Sequence, residues 1–290
     1  MSEIREKAYA KLNISLDVLS KRDDGYHDLA MVMQTVSLYD EIRITPAEGE
    51  TISAVTNIGF IPGDERNLAV KAAKVFFSEA KMPLRGMCIE IVKNIPVGAG
   101  LAGGSADAGA VLRALNRTFD NPLDRRGMLS AAEKVGSDVA FCTAGGTMLA
   151  KSRGELLAPL PPMPDCCYVI VMPDFSISTP ELFKKIDGKR IRCHPDTAGI
   201  VDSLKSGDLI GICRRMYNVF EDVEDRRMRT IAEIKNALVD LGALGTVMTG
   251  TGSAVFGVFN DNQAAENTAD SLKKKYRLAV TAKNVPELIG

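Results

Sequence analysis

The chain has 290 residues, a mass of 31.2 kDa and a formal net charge of -1, a length that suits two domains of ordinary size. A sequence pI near 6.2 excludes a broad positive surface for a nucleic-acid backbone, and no run of about 20 apolar residues is present to cross a bilayer. The charged N-terminus, with Glu3, Arg5, Glu6 and Lys7, lacks the apolar core of a signal peptide. We therefore expect a cytoplasmic protein that binds neither membrane nor nucleic acid.

Hydrophobic periodicity predicts the first elements in chain order. Residues 12–18 alternate between apolar and polar side chains, which indicates a half-buried strand. A polar turn over residues 21–27 leads to a second β-rich run that extends to Ile42. Residues 68–80 then have a helical pattern, and residues 87–92 have the pattern of another strand.

A glycine-rich run follows that strand and precedes an alanine-rich helix. Its glycines remove side chains where a backbone must approach a ligand, and the helix directs its unpaired N–H groups to the same point. The order of strand, glycine loop and helix predicts a phosphate-binding loop with Ser105 at the helix N-cap; a glycine turn that only packs a helix on a sheet is the alternative. The residues assigned to the loop are Pro96, Val97, Gly98, Ala99, Gly100, Leu101, Ala102, Gly103, Gly104, Ser105 and Ala106.

Other classes of phosphate loop do not fit this sequence. Residues 98–103 satisfy G-x-G-x-x-G, but residues 117–122 are a turn where a dinucleotide-binding unit needs a strand ending in an acidic residue. Gly104 stands where a Walker loop requires lysine, and no H-R-D or D-F-G sequence of a protein kinase occurs. Six cysteines without a C-x-x-C pair, together with two histidines, also do not predict a zinc site.

Two charged residues are candidates for phosphoryl-transfer chemistry. Lys11 shares the polar face of the first strand with Asn13, and Asp138 is an isolated carboxylate at the entry to an apolar run. Phosphoryl transfer needs a carboxylate to orient or deprotonate the attacking hydroxyl and a cation to offset charge, which Asp138 and Lys11 could supply. A helix-capping Asp138 with a solvated Lys11 is the alternative that the residues leave open.

The turn beside Gly25 carries two rings, Tyr26 and His27. One ring could stack on a flat base and the other could hydrogen-bond to it, although an ordinary turn tyrosine with an exposed histidine has the same pattern. The residues alone do not decide between these interpretations.

A proline-rich segment over residues 159–164 is the predicted linker, because proline cannot continue a helix or a central strand. It divides a first domain, residues 1–160 with the phosphate loop, from a second domain, residues 161–290. The second domain is predicted to be α+β, with a strand at 168–172, helices at 226–241 and 263–275, and a strand over 247–259 that is interrupted by Gly250, Thr251, Gly252 and Ser253.

The run from Pro96 to Asp107 resembles the phosphate loop of the superfamily of galactokinase, homoserine kinase, mevalonate kinase and phosphomevalonate kinase, the GHMP kinases. Residues 10–14, followed by residues 21–27, are similar to the branch that phosphorylates a cytidine diphosphate ester of methylerythritol in the non-mevalonate isoprenoid pathway. Further similarities extend the resemblance over nearly the whole chain, at residues 136–139, 154–160, 178–183, 218–221 and 248–253.

The resemblance implies an α+β fold of two domains. The N-terminal domain would be like ribosomal protein S5 domain 2, the C-terminal domain would be ferredoxin-like, and the active site would lie between them. It also implies transfer of the γ-phosphoryl group of ATP to the 2-hydroxyl of the methylerythritol unit, with Mg²⁺ bound beside the nucleotide. No protein ligand of the metal is assigned beyond a contact from Ser105, and a monomer or a homodimer is expected.

By position in the family motifs, Asp138 would be the base or orienting group and Lys11 its electrostatic partner. His27 would read the cytosine edge while Tyr26 and Phe183 sandwich its ring. The remaining assignments are contacts near the substrate from Asn13 and Thr179, and closure of the cleft by Gly250, Thr251, Gly252 and Ser253.

The loop departs from the usual family sequence at Ala102, Ala106 and Gly109. A methyl group at position 102 is compatible with the loop if its φ is negative. Two alternatives to this kinase are another GHMP kinase acting on homoserine or mevalonate, and a nucleotide-dependent sensor that has lost phosphoryl transfer.

Overall fold

The computed structural model describes residues 3–187, 189 and 191–289. The strands are β1 Ile4–Lys21, β2 His27–Pro46, β3 Ile52–Thr56, β4 Met87–Val92, β5 Thr147–Ser152, β6 Leu156–Pro159, β7 Cys167–Met172, β8 Tyr217–Asn218, β9 Gly245–Met248, β10 Val255–Phe259 and β11 Leu278–Lys283. The helices are α1 Leu68–Glu79, α2 Gly103–Thr118, α3 Arg125–Val135, α4 Val139–Ala144, α5 Thr179–Asp187, α6 Thr197–Ser206, α7 Leu209–Cys213, α8 Arg227–Asp240 and α9 Asn262–Leu272.

The first sheet is built around the long hairpin of β1 and β2, in the order β3-β4-β2-β1-β8. Beyond its pairing with β1, β2 pairs with β4 along Glu41–Pro46 and with β5 along Leu29–Gln34, so two different strands continue the sheet on that side. Irregularities in the β1 register fall between Tyr9 and Lys11 and between Asn13 and Ser15. These bulges lie where the candidate residues of the first strand enter the site.

Strand β1 is buried on both faces between Ala10 and Val18. The expectation of a half-buried strand is therefore wrong there. The helices of the first half cover one face, while the loop after β9 contacts β1 through Thr249 and Gly250 on the other. A strand between two packed layers loses its solvent-facing side whatever its alternation.

The second sheet is antiparallel, in the order β11-β7-β10-β9, and α8 and α9 pack against it. Strand β8 returns to the first sheet and pairs in parallel with β1. Two sheets with helices packed on them confirm the predicted α+β class. The chain passes from the first sheet to the second between β6 and β7, and a division into domains at residue 160 stays a prediction.

Helix α2 lies at the centre of the first half, and Ala106 to Asn116 are all buried. Its small residues allow neighbouring backbones to approach closely. A Cβ placed on Gly109 would lie 2.8 Å from the carbonyl carbon of Cys142 in α4. The glycine that departs from the family loop thus lets α4, and Asp138 at its start, pack directly on α2. Across the described ranges, we find no helix with the length and apolar character that a membrane span requires.

Candidate active site

A cavity of about 1080 Å³ brings the predicted groups together. It is bordered by Lys11 and Asn13 of β1, by the turn before β2, by the glycine loop, by Asp138, by α5 and by residues 250–252. Three of the predicted site residues do not border it: Leu101, Ala106 and Ser253 are buried in the packing behind it. Ser253 donates a hydrogen bond to the carbonyl oxygen of Phe175 at 2.5 Å, so its side chain holds a loop.

The glycine loop is clamped between the two halves of the chain. Gly100 has a φ of +78°, and a Cβ there would lie 2.1 Å from the carbonyl oxygen of Thr249. Lys11 donates its backbone N–H to Leu101 at 3.3 Å, and Ala254 donates to Ala99 at 3.1 Å. Glycine is therefore required at position 100 by a close backbone approach as well as by its conformation.

Helix α2 begins at Gly103, and its N-cap is Ala102. The predicted N-cap at Ser105 is therefore wrong, because the N-cap lies three residues earlier. Ala102 has a φ of 57° and a ψ of 34°, so the condition of a negative φ for a methyl group at this position is not met. Within the described ranges no side chain caps α2, so its first N–H groups point toward the glycine loop and can donate hydrogen bonds to an anion there.

Lys11 is buried, with 4% of its surface exposed, so the alternative of a solvated lysine is wrong. Its ammonium group donates to the side-chain oxygen of Asn13 at 2.5 Å. Burial lowers the pKa of Lys11, and the nearby charge of Asp138 acts in the opposite direction. The carboxylate of Asp138 thus favours the charged form of a lysine that has lost its water.

Asp138 stands at the N-cap position of α4, but its side chain makes no capping hydrogen bond. The alternative of a capping aspartate is therefore wrong as far as the side chain is concerned. Within the described part of the chain, its carboxylate accepts no hydrogen bond, and the residue borders the cavity. Both carboxylate oxygens are thus available to a substrate hydroxyl.

The first residue of β2 supplies a ring that is almost fully buried. His27 is 8% exposed and stacks on Phe183, with ring centroids 4.7 Å apart and an interplanar angle of 30°. Tyr26 is 55% exposed, and the guanidinium carbon of Arg153 lies 5.0 Å from its ring centroid. Phe183 therefore packs on His27, and a cytosine ring between Tyr26 and Phe183 stays a prediction.

Sequence reasoning missed the groups that hold these rings. The Oδ1 atom of Asp187 lies 2.6 Å from Nε2 of His27, although the two residues are 160 positions apart in the chain. Arg153 also borders the cavity beside Tyr26. Neither residue carries a local sequence signal, because each acquires its partner only through the tertiary fold.

A buried charge cluster beneath the glycine loop was also missed. Lys93 donates to Asp107 at 2.6 Å and also to Asp40, and all three side chains are at most 8% exposed. Burial raises the pKa of Asp107 to about 8; the charge of Lys93 opposes this shift, and the charge of Asp40 adds to it. The Oδ1 atom of Asp107 is buried and has no hydrogen-bond partner among the residues that the structure describes.

Two oxygen-bearing side chains at the cavity, those of Ser105 and Asp138, fit a magnesium ion that binds together with a nucleotide. Over the described residues, no three His, Cys, Asp or Glu side chains converge on a point where they could hold a metal by themselves. Mg²⁺ bound to phosphates needs only one or two protein oxygens, and the hydroxyl of Ser105 and the carboxylate of Asp138 border the same cavity.

Comparisons with known proteins identify the family. The profile described as "GHMP kinases N terminal domain" matches residues 67–146, and "GHMP kinases C terminal" matches residues 200–278. A protein of Clostridium kluyveri named 4-diphosphocytidyl-2-C-methyl-D-erythritol kinase is 41% identical over 271 residues, which cover 93% of this chain and 96% of the relative. This chain belongs to that family of GHMP kinases.

Solved structures agree with membership in the 4-diphosphocytidyl-2-C-methyl-D-erythritol kinase family. A crystal structure of a 4-(cytidine 5'-diphospho)-2C-methyl-D-erythritol kinase superposes with a TM-score of 0.81 at 29% identity, covering 97% of this chain and 99% of that one. A homoserine kinase from Cytophaga hutchinsonii has a TM-score of 0.79 at 20% identity, covering 100% and 96% of the two chains, and shares the fold. The family resemblance and the two-domain GHMP fold are confirmed.

The conformation of Ala102 generates a stability prediction. Glycine adopts a φ of 57° without the clash that Cβ introduces, so Ala102→Gly should leave the free energy of unfolding unchanged or raise it by up to about 1 kcal/mol. Ala108→Gly, in the buried interior of the same helix, is the control and should lower it by about 1 kcal/mol or more. Urea denaturation measures both, and an equal loss in the two variants would contradict the assigned conformation.

The raised pKa of Asp107 generates a pH prediction. Between the ordinary value of 3.8 and about 8, the folded chain keeps a proton that the unfolded chain has released, so the free energy of unfolding falls as pH rises. Asp107→Asn is neutral throughout this window, so its free energy of unfolding should fall less between pH 4 and pH 8 than that of the parent. Urea denaturation at several pH values tests this, with the exposed Asp202→Asn as the control; an unchanged pH slope in Asp107→Asn would refute it.

Proposed function

We propose that this chain transfers the γ-phosphoryl group of ATP to the 2-hydroxyl of 4-diphosphocytidyl-2-C-methyl-D-erythritol, giving the 2-phosphate and ADP in the non-mevalonate isoprenoid pathway. The observation that carries the proposal is the shared cavity, which joins a phosphate-binding loop, a lysine and carboxylate pair, and two rings suited to a base. Relatives at 41% identity bear the name of this kinase.

The glycine loop supports the donor side of the reaction. Its backbone approaches the cavity without side chains at Gly98, Gly100, Gly103 and Gly104, and the uncapped start of α2 adds N–H groups and a positive dipole end. The triphosphate of ATP would lie along this loop. Mg²⁺, when bound with ATP, would be held by phosphate oxygens together with Ser105 and would offset phosphate charge.

Lys11 and Asp138 support the transfer step. Asp138 would accept the proton of the 2-hydroxyl, or a hydrogen bond from it, so that the oxygen lone pair points at the γ-phosphorus. Lys11, held by Asn13, would stabilise the negative charge on the equatorial phosphate oxygens as the group passes between the two oxygens. Thr179, whose hydroxyl lies 2.8 Å from that of Thr251, would link the substrate side of the cavity to residues 250–252.

The rings support the acceptor side. His27 borders the cavity with one ring nitrogen bound to Asp187, and Tyr26 presents an aromatic face beside Arg153. Homoserine and mevalonate contain no base, so these rings would have no task in a kinase for either substrate. The cytidine ester is therefore the favoured acceptor among GHMP kinase substrates.

We also propose that the chain acts in the cytoplasm as a monomer or a homodimer and binds no nucleic acid. The formal net charge of -1 supports the last point, because a nucleic-acid backbone requires a positive surface.

A direct assay tests the proposed function. Incubation with Mg-ATP and, in turn, the cytidine ester, homoserine or mevalonate should release ADP at a substantial rate only with the cytidine ester. Mass spectrometry should then locate one added phosphoryl group on the methylerythritol unit. Faster turnover with homoserine or mevalonate, or no turnover with the cytidine ester, would overturn the proposal.

A further inference from the structure

A carboxylate outside the predicted site holds one nitrogen of His27. Asp187, at the end of α5, places Oδ1 2.6 Å from Nε2 of the ring, and its Oδ2 accepts a hydrogen bond from Lys21 at 2.5 Å. Phe183, one turn earlier in the same helix, stacks on the flat face of the imidazole. Helix α5 thus fixes both the plane of the ring and its rotation within that plane.

The contact between Asp187 and His27 also determines which ring nitrogen carries the proton. The hydrogen bonds from Lys21 and His27 lower the pKa of Asp187, so its carboxyl group is ionised and only accepts hydrogen bonds. A neutral imidazole carries one ring proton, and an acceptor at Nε2 places that proton on Nε2. Nδ1 is then a hydrogen-bond acceptor; it makes no hydrogen bond to any residue in the described ranges, and His27 borders the cavity.

We propose that Asp187 is a positioning residue for base selection, acting through His27. This inference rests on the proposed function and deepens it. An accepting Nδ1 matches the exocyclic 4-amino group of cytosine, which donates hydrogen bonds. It opposes the 4-carbonyl of uracil, because two acceptors would face each other. Asp187 would therefore set the preference for a cytidine over a uridine diphosphate ester.

The bond between Asp187 and Lys21 offers a purely structural explanation, in which the carboxylate only ties α5 to the end of β1. That role would change stability in Asp187 variants, but it would leave the choice between bases untouched. The ratio of kcat/KM for the cytidine ester to that for the uridine ester of the same polyol therefore separates the two explanations.

The kinetic experiment compares Asp187→Ala and Asp187→Asn with the parent on both esters. Removal of the carboxylate should reduce the cytidine-to-uridine ratio about 10-fold or more, mainly through a higher KM for the cytidine ester, because one well-formed hydrogen bond is lost. Asp187→Glu, which keeps a carboxylate, should recover part of the ratio. His194→Gln is the matched control, since it removes the imidazole of a second histidine–aspartate pair, 2.8 Å from Asp17, and should leave the ratio unchanged.

The proton position is measured separately by ¹⁵N nuclear magnetic resonance of the imidazole. The chain has only two histidines, so the His194→Gln variant leaves a single ring signal, that of His27. At pH 8 we expect a protonated Nε2 and an unprotonated Nδ1, and a mixture of tautomers once Asp187→Ala is added. A ring protonated at Nδ1 at pH 8 would overturn the inference, whether or not Nε2 is also protonated.

An unchanged ester ratio in Asp187→Ala would also overturn it. The two proposals fail in different ways. If the parent phosphorylates neither ester, the proposed function fails while the resonance measurement still tests the proton position. If it phosphorylates the cytidine ester but Asp187→Ala keeps full selectivity, only the role of Asp187 fails.

Discussion

Three parts of the molecule meet at Asn13 and Thr249. The side-chain oxygen of Asn13 accepts hydrogen bonds from the ammonium group of Lys11 at 2.5 Å and from the backbone N–H of Gly250 at 3.0 Å. The hydroxyl of Thr249 accepts a hydrogen bond from the backbone N–H of Asn13 and donates one to the carbonyl oxygen of Gly100. The first strand, the loop of the second sheet and the phosphate loop are therefore fixed relative to one another by two buried residues, Asn13 and Thr249.

A second asparagine completes this junction from the other side. Asn218 donates to the carbonyl oxygens of Met248 and Gly250 at 2.7 and 2.8 Å, and its own oxygen accepts the backbone N–H of Phe220. A buried amide with all these groups bound specifies a single loop conformation, because any other arrangement leaves a polar atom unpaired. The loop over residues 249–252 is thus built to hold the phosphate loop in place.

Several features of the site lower the stability of the folded chain, and packing elsewhere in the fold must compensate for them. Lys11 and the cluster of Lys93, Asp40 and Asp107 lie out of water, and Ala102 adopts a left-handed conformation at the start of α2. Buried charges and strained backbone destabilise a fold, and they persist where function requires them. A buried ammonium group beneath a phosphate-binding loop has such a use. The low dielectric constant around it strengthens the attraction between the ammonium charge and the phosphate charge.

Sequence patterns predicted those elements whose signal lies in neighbouring residues of the chain. The boundaries of β4 and α1 followed from periodicity, and the glycine loop followed from its composition and from the helix after it. Helix α4 has only six residues, too few for a periodic signal, so its role in carrying Asp138 was not visible. The contacts of Asn13 with Gly250 and of His27 with Asp187 join residues 237 and 160 positions apart, and only the folded chain brings them together.

The account depends most on a reactive centre formed by Asp138 beside a charged, buried Lys11. The most direct test is the turnover of Asp138→Asn at saturating ATP and cytidine ester, with ATP affinity measured on the same preparation. Asp124→Asn, which keeps the N-cap of α3, is the control. The account predicts a loss of about 100-fold or more in turnover for Asp138→Asn with ATP affinity nearly unchanged, as expected when a general base is removed. Turnover close to that of the parent would contradict it.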